Sequence, residues 1–286
     1  MSTILVTGAT GQLGRLAIDS LLTRGVEPGD VVALVRDSAK ASDLAARGVV
    51  VRVGDYGDPA SLDAALAGVD RLLFISGSEV GQRGVQHQNV IDAAVRADVE
   101  LVAYTSIVRA DTSSLALAAE HIATEKALAE SGLPHALLRN SWYLENYTAQ
   151  VPVQLEHGVV LGAAAEGRVS AAARADFAQA AAAVITGDEQ SGRVYELGGD
   201  EAFTLGEYAS ALSQQSGTEV TYRDLSVPDY AAALVDAGLP QGYAQALAMS
   251  DDGLKHGQLF VDSGDLSRLL GRPTTSLTQA LAAAVG

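Results

Sequence analysis

Short runs of apolar, largely β-branched residues alternate with longer helical patterns over the first half of the chain. The runs fall at 4–6, 31–35, 49–53, 72–75, 101–104 and 136–138. Uninterrupted apolar stretches of this length read as strands buried on both faces. The segments between them carry helix punctuation: Asp58-Pro59 as N-cap and first helical residue with Gly68 closing, then Arg24-Gly25 and Ser131-Gly132-Leu133-Pro134 as stops. A β/α alternation joined by right-handed crossovers predicts an α/β domain with a doubly wound parallel sheet. After about residue 145 the rhythm weakens into Ala-rich helices over 171–185, 205–215 and 230–237, with isolated strands at 193–197 and 219–222. The expected organisation is a sheet domain over 1–150, to which a segment at about 170–200 returns. A smaller α+β C-terminal lobe over 151–286 caps the carboxyl edge of that sheet.

Composition narrows what such a domain can do. The 286 residues are 48% hydrophobic, and 35 acidic against 19 basic residues give a formal charge of −16. That balance repels nucleic-acid backbones and anionic membranes, so neither is an expected partner. The absence of cysteine removes disulfides, thiolate nucleophiles and iron–sulfur ligation, so redox chemistry must come from a bound cofactor. The N-terminus runs from Met1-Ser2-Thr3 straight into the first strand with no basic leader, and every apolar stretch is interrupted well short of about 18 residues. A cytoplasmic protein is expected, and the sequence leaves a homodimer open.

The chemistry begins at Gly8-Ala9-Thr10-Gly11-Gln12-Leu13-Gly14, which follows the first strand and opens a helix. Glycines there allow a tight turn and close approach of backbone to a pyrophosphate, whose charge meets the free amides of the helix N-terminus. This is the dinucleotide site of a Rossmann-type fold. Arg36 ends the second strand, where an NAD site places a carboxylate for the ribose 2′-hydroxyl; an arginine suits the 2′-phosphate of NADPH instead. Asp37 is the alternative NAD-type acid. Asp55-Tyr56 and Ser76-Gly77-Ser78 follow the third and fourth strands on the same carboxyl edge. Asp55 is a candidate acceptor from the adenine amino group, and the serine loop would pass under the adenosine ribose or the pyrophosphate; ordinary loop capping is the competing reading of both.

Lys126, one of three lysines, lies on the helix after Tyr104-Thr105-Ser106, where short-chain dehydrogenases carry Tyr-x-x-x-Lys. Ile122 stands in place of that tyrosine, so the phenolic acid is missing. His121 is one residue, about 100°, off its helical face, and a solvated lysine is the competing reading of Lys126. No Gly-x-Ser elbow, Gly-Lys loop or His-Glu-x-x-His exists, and the five histidines are scattered.

These residues, together with Leu34-Val35-Arg36, Gly54-Asp55-Tyr56, the stretch Gly77-Ser78-Glu79-Val80-Gly81-Gln82-Arg83, Thr124-Glu125-Lys126 and the run from Leu138-Arg139-Asn140-Ser141 to Trp142-Tyr143-Leu144-Glu145-Asn146-Tyr147, resemble the type 2 NAD(P)H:quinone oxidoreductases. These are NmrA-like, atypical short-chain dehydrogenases, and triphenylmethane reductase is a near neighbour in sequence. The resemblance implies flavin-independent transfer of hydride from NADPH to a small planar electrophile, a quinone or a dye, in a cleft between domain and lobe. It implies cofactor contacts from Thr105, Ser106, Lys126 and Asn140. It places Asn140, Trp142, Tyr143, Asn146 and Tyr147 along the acceptor pocket, with Asn146, Tyr143 and Lys126 as catalytic candidates. Dye reduction and non-enzymatic dinucleotide sensing are the competing functions.

Overall fold

The computed structural model describes residues 2–77, 79 and 81–286. In chain order the elements are β1 (Ile4–Val6), α1 (Gln12–Thr23), β2 (Val31–Val35), α2 (Ser42–Ala46), β3 (Val50–Val53), α3 (Pro59–Leu66), β4 (Arg71–Phe74), α4 (Arg83–Arg96), β5 (Leu101–Ile107), α5 (Ala116–Ser131) and β6 (His135–Asn140). There follow α6 (Glu145–Thr148), α7 (Val151–His157), β7 (Val159–Gly162), α8 (Arg174–Thr186), β8 (Val194–Leu197), α9 (Leu205–Ser216), β9 (Thr221–Asp224), α10 (Val227–Asp236), α11 (Gln241–Lys255), α12 (Asp265–Leu270) and α13 (Leu277–Val285).

The main sheet has the order β3-β2-β1-β4-β5-β6-β8. Its first six strands pair in parallel, with Leu5 opposite Val32 on one side and Leu72 on the other. Strand order reverses across β1, so the crevice outside the carboxyl ends of β1 and β4 is where such sheets take a ligand. Leu5, Val32, Leu72, Phe74 and Tyr104 contribute to the core and are essentially inaccessible to solvent, as expected for strands covered on both faces. Local chemistry sets the helix ends: Asp58 accepts from the Ala60 and Ser61 amides (3.1 and 3.4 Å), and Pro59 occupies the first helical position of α3.

The chain divides into two compact units. The first comprises residues 1–110, 120–140 and 174–195; the second comprises 111–119, 141–173 and 196–286. Within the first, α8 packs against α1, and Arg71 Nη1 donates to the carbonyls of Ile185 and Gly187 at 2.8 and 2.9 Å. The middle stretch of the first unit stops at Asn140, and the chain passes there into the second unit. The reason is backbone pairing: the Ser141 amide donates to Leu197 O and the Leu144 amide to Ala172 O, both within the second unit. That second unit contains a small parallel sheet of β7 and β9, with Val160 opposite Tyr222. It also contains capping boxes that start α9 (Thr204 with Glu207) and α13 (Ser276 with Gln279). Among the described residues no helix is long and apolar enough to cross a membrane.

Candidate active site

The turn between β1 and α1 is shaped by two glycines. Gly8 sits at φ +57°, in the left-handed region that disfavours a side chain. A Cβ on Gly14 would lie 2.3 Å from Gly8 O and 2.8 Å from Ala9 Cα, so backbone itself fills that space. Gly11 is the N-cap of α1 and offers no side-chain acceptor, and no acidic residue occupies the first turn. The first-turn amides of Gln12, Leu13 and Gly14 therefore lack an intrahelical acceptor, and the helix dipole faces the crevice uncompensated. Such an end takes a phosphate.

Strand ends beside this turn are stitched by hydroxyls. The Ile75 amide donates to Thr7 Oγ1 (2.8 Å), and the Ser76 amide donates to Thr105 Oγ1 (2.9 Å). Both bonds are buried or half-buried, so the loop after β4 is held from β1 and from β5. Tyr56 adds a third tie from below: its hydroxyl donates to Ile75 O at 2.8 Å and its ring meets Phe74 edge-on. Burial pushes that phenol well above its ordinary range. Tyr56 thus supports the loop rather than titrating in it. Asp55 closes an Asx turn through Gly57 N (2.7 Å), and Asp37 caps the turn at Ser38–Ala41 through Ala39 N (3.0 Å). Arg36 is exposed and ion-paired with Glu79 at 2.8 Å. Ser78 lies outside the described residues.

β5 runs to Ile107 and β6 to Asn140, so Thr105, Ser106 and Asn140 are strand residues at the carboxyl edge. Ser106 Oγ donates to Glu125 Oε1 (2.6 Å), and Arg139 forks onto the same carboxylate at 3.0 and 2.7 Å. On this helix Glu125 and Lys126 face different surroundings. Helix α5 turns Glu125 inward to this nearly buried pair, while Lys126, one residue further around, is 74% exposed and pairs with Glu130 at 3.7 Å. Asn140 is buried, and its Oδ1 has no hydrogen-bond partner among the described residues. An orphaned acceptor of this kind is costly unless a ligand's N–H reaches it. With the glycine turn, it makes this edge fit a dinucleotide.

Sequence reasoning missed the polar cluster behind the loop. Tyr104 Oη and His121 Nδ1 are 2.9 Å apart, and His87 Nδ1 and Thr124 Oγ1 are 2.8 Å apart, all four residues being buried. Arg83, on α4, lies against both rings. Burial first, and the Arg83 charge second, depress His87 to about 4 and His121 to about 3. The one available signal was spacing: Arg83 and His87 lie one helical turn apart, on a common face.

In the second unit, Trp142 and Ala172 exchange a backbone bond (Ala172 N to Trp142 O, 3.1 Å), and Tyr143 bridges to Ala172. This fixes the segment that carries the expected acceptor-pocket residues. Trp142 and Tyr143 are half-buried, and Asn146 is exposed on α6. Tyr147 turns its ring onto Phe203 and Tyr208, at centroid distances of 5.9 and 5.6 Å, and its hydroxyl is buried with no hydrogen-bond partner among the described residues. Among the described residues no cluster of side chains could hold a metal ion.

An uncompensated, glycine-lined helix N-terminus at the switch point of a parallel sheet, with a buried polar acceptor at the end of β6, defines a dinucleotide-binding α/β protein. The NmrA-like family model matches residues 1–264, and the chain belongs to that family. It is 55% identical to quinone oxidoreductase 2 of Escherichia coli over 97% of both chains. The crystal structure of the NADPH-dependent quinone oxidoreductase of E. coli complexed with NADPH superposes with a TM-score of 0.97, at 54% identity, over 99% of this chain and 100% of that one. The Citrobacter sp. triphenylmethane reductase complexed with NADP(H) gives a TM-score of 0.94, at 38% identity, over 98% and 99% of the two chains.

Proposed function

We propose that this protein is an NADPH-dependent quinone oxidoreductase that works without a flavin. What carries the reading is the quinone-reducing relative, whose similarity runs through nearly the whole of both chains. NADPH, when bound, supplies the hydride; with one proton from solvent the quinone becomes the hydroquinone. The Gly8–Gly14 turn, through the first-turn amides of α1, holds the pyrophosphate. Arg36 exchanges Glu79 for the 2′-phosphate, a bond to a charged group contributing about 1.5–3 kcal/mol. Asn140 Oδ1 accepts from a ligand N–H. In the second unit, Trp142 offers a face for a planar acceptor, and Asn146, Tyr143 and Tyr147 offer hydrogen bonds to its oxygens.

No group in the buried cluster is poised to act as an acid at neutral pH. Tyr104 is pushed upward by burial and His121 downward. A quinone tolerates this, because the charge it gains is delocalised into an aromatic ring and needs less help from a positioned acid than a ketone does. Initial rates of NADPH oxidation by flavin-free protein with benzoquinones, triphenylmethane dyes and simple ketones test the reading. Turnover of quinones is expected. Turnover of ketones alone would refute it, dyes alone would assign the reaction of the Citrobacter relative, and tight binding with no turnover would point to a sensor.

A further inference from the structure

Both sides of the Gly77 peptide are held by side chains from the first turn and a half of α4. Arg83 Nε donates to Gly77 O at 2.5 Å, and Gly77 N–H donates to His87 Nε2 at 3.0 Å. The direction of the second bond fixes the histidine's tautomer. An amide is only a donor, so Nε2 must present its lone pair and the ring proton sits on Nδ1. Nδ1 then donates to Thr124 Oγ1 (2.8 Å), whose own hydroxyl proton goes to Glu120 O (2.9 Å). Each donor in this chain has an acceptor, the last of them the Glu120 carbonyl within α5. The relay runs from the loop after β4, through α4, into α5.

We propose that His87 is a positioning residue for the dinucleotide site, acting through the Gly77 amide to fix the loop over which the cofactor passes. The inference rests on the dinucleotide reading of that loop. Thr105 holds the neighbouring Ser76, through its amide and its hydroxyl, and not Gly77, so without the ring Gly77 loses its amide anchor and keeps the carbonyl clamp from Arg83. A freed peptide must be ordered again each time the cofactor binds. That cost falls on binding and is shared by NADPH and NADH, since the Gly77 peptide must be ordered for either dinucleotide and Arg36 meets this loop only two residues further on, at Glu79, through an exposed pair.

The surroundings of the ring keep the relay intact at neutral pH. Facing it are the Arg83 cation on its own helix, and His121 and Glu120 from α5, with Glu120 paired to Arg83 at 3.5 Å. Tyr104 of β5, Phe74 of β4 and Tyr56 meet it with their rings, at centroid distances of 5.8, 4.8 and 6.1 Å. A buried ring beside a cation, with no carboxylate bonded to it among the described residues, stays neutral.

The test measures NADPH and NADH binding by calorimetry, and steady-state kcat and KM with a quinone, for three variants. His87→Leu removes the acceptor, His87→Gln places an amide oxygen near the position of Nε2, and Thr124→Val removes the group that fixes the tautomer. His87→Leu is expected to weaken both dinucleotides equally, by about tenfold, while kcat at saturation changes less than about threefold and Tm is largely kept. His87→Gln should restore affinity to within about threefold of the parent, and Thr124→Val should fall between the two. Parental affinity in His87→Leu overturns the proposal, as does a His87→Gln variant no better than His87→Leu. Should His87→Leu fail to fold, equal affinity of Thr124→Val and the parent overturns it. A parent protein that binds neither dinucleotide refutes the functional reading itself, a result distinct from either.

Discussion

Arg36 Nη1 and Glu79 Oε1 lie 2.8 Å apart, and Gln86 Nε2 holds the other oxygen of the same carboxylate, also at 2.8 Å. The guanidinium expected to recognise a 2′-phosphate is thus already occupied by a carboxylate. The pair is open to solvent, with side-chain exposures of 70% and 49%, so it is worth about 0–1 kcal/mol. A phosphate bond at about 1.5–3 kcal/mol displaces it. Arg36→Ala should weaken NADPH by about ten- to a hundredfold and leave NADH nearly unchanged. Glu79→Gln should tighten NADPH by about two- to fivefold by removing the competitor. Titrations at fixed ionic strength check both. Equal losses of NADH and NADPH in Arg36→Ala would make the arginine a structural support of the loop.

His121 is expected to be dispensable as an acid. Its Nδ1 faces Tyr104 Oη at 2.9 Å and its Nε2 faces Arg83 at 3.5 Å. Since the guanidinium only donates, the ring is a neutral Nδ1–H tautomer with no proton to spare at pH 7. Quinone turnover by His121→Ala should stay within about tenfold of the parent, against the ~10²–10⁴-fold loss that follows removal of a positioned acid. The pH profile of kcat between 5 and 8 should keep its shape. A loss above a hundredfold in a folded variant would make His121 the proton donor.

The strands were legible because a strand covered on both faces has no polar alternation to blur it. β1 and β2 span the residues expected, β3 starts one residue later, and β4 is shifted by one residue toward the N-terminus. β5 and β6 run further, to Ile107 and Asn140, because Thr105, Ser106 and Asn140 are polar yet paired in the sheet. Hydrophobic pattern cannot register such residues. The glycine turn was equally legible, its spacing following directly from the backbone contact at Gly14. From residue 145 onward the Ala-rich helices gave weak periodicity, so α6, α7, β7, α11, α12 and α13 went unread. At the site, one helical step decided the outcome: Glu125 rather than Lys126 faces Arg139. No single-chain pattern reports which neighbour a helix turns inward. The same holds for His87 and Arg83, whose partners come from β5, α5 and the loop after β4.

Breaking the Arg139–Glu125 pair should be costly. Its side chains are 9% and 11% exposed, and the carboxylate also accepts from Ser106. Removing one partner strands a buried charge, at a cost of about 3–5 kcal/mol. Arg139→Met should therefore lower the urea midpoint far more than Lys126→Ala, which alters an exposed i,i+4 pair worth a few tenths of a kcal/mol, about 0.3–0.5. Similar midpoints for the two variants would show that Glu125 finds another partner.

Acid should destabilise the first unit through its two buried histidines. Both are depressed, His87 to about 4 and His121 to about 3, from an ordinary 6.5. The unfolded chain takes up protons below about 6.5 that the folded unit refuses, so the stability conferred by the neutral rings is intact above that pH. It is lost as pH falls toward 4, at about 1.4 kcal/mol per pH unit for each histidine. The urea midpoint should drop between pH 7 and pH 5, and the His87→Gln/His121→Gln double variant should flatten the drop. An equal drop in the double variant would assign it to carboxylates.

Asp251, in the second unit, should act with the opposite sign. Burial, with the neighbouring Asp224 charge adding to it, raises its carboxyl from 3.8 to about 6, although the Ala163 amide donates to Oδ2 at 2.9 Å and favours the charged form. Asp224 is held nearby by Ala165 N (2.8 Å) and the Tyr222 hydroxyl (2.7 Å), so it cannot move off to relieve the repulsion without breaking both bonds. A carboxyl whose folded value lies above its unfolded one stabilises the fold fully below about 3.8, and that contribution is lost as pH rises through about 6. At pH 7 to 8 the folded protein therefore carries a buried charge it would be more stable without. Asp251→Asn keeps an oxygen for the Ala163 amide and discards the charge. It should raise the urea midpoint at pH 7.5, by on the order of 1–2 kcal/mol of stability, and the gain should vanish at pH 4, where the parent carboxyl is protonated. Denaturation curves of parent and variant at the two pH values decide it. A variant less stable than the parent at pH 7.5 would mean that the charge-assisted bond to Ala163 outweighs the cost of burial.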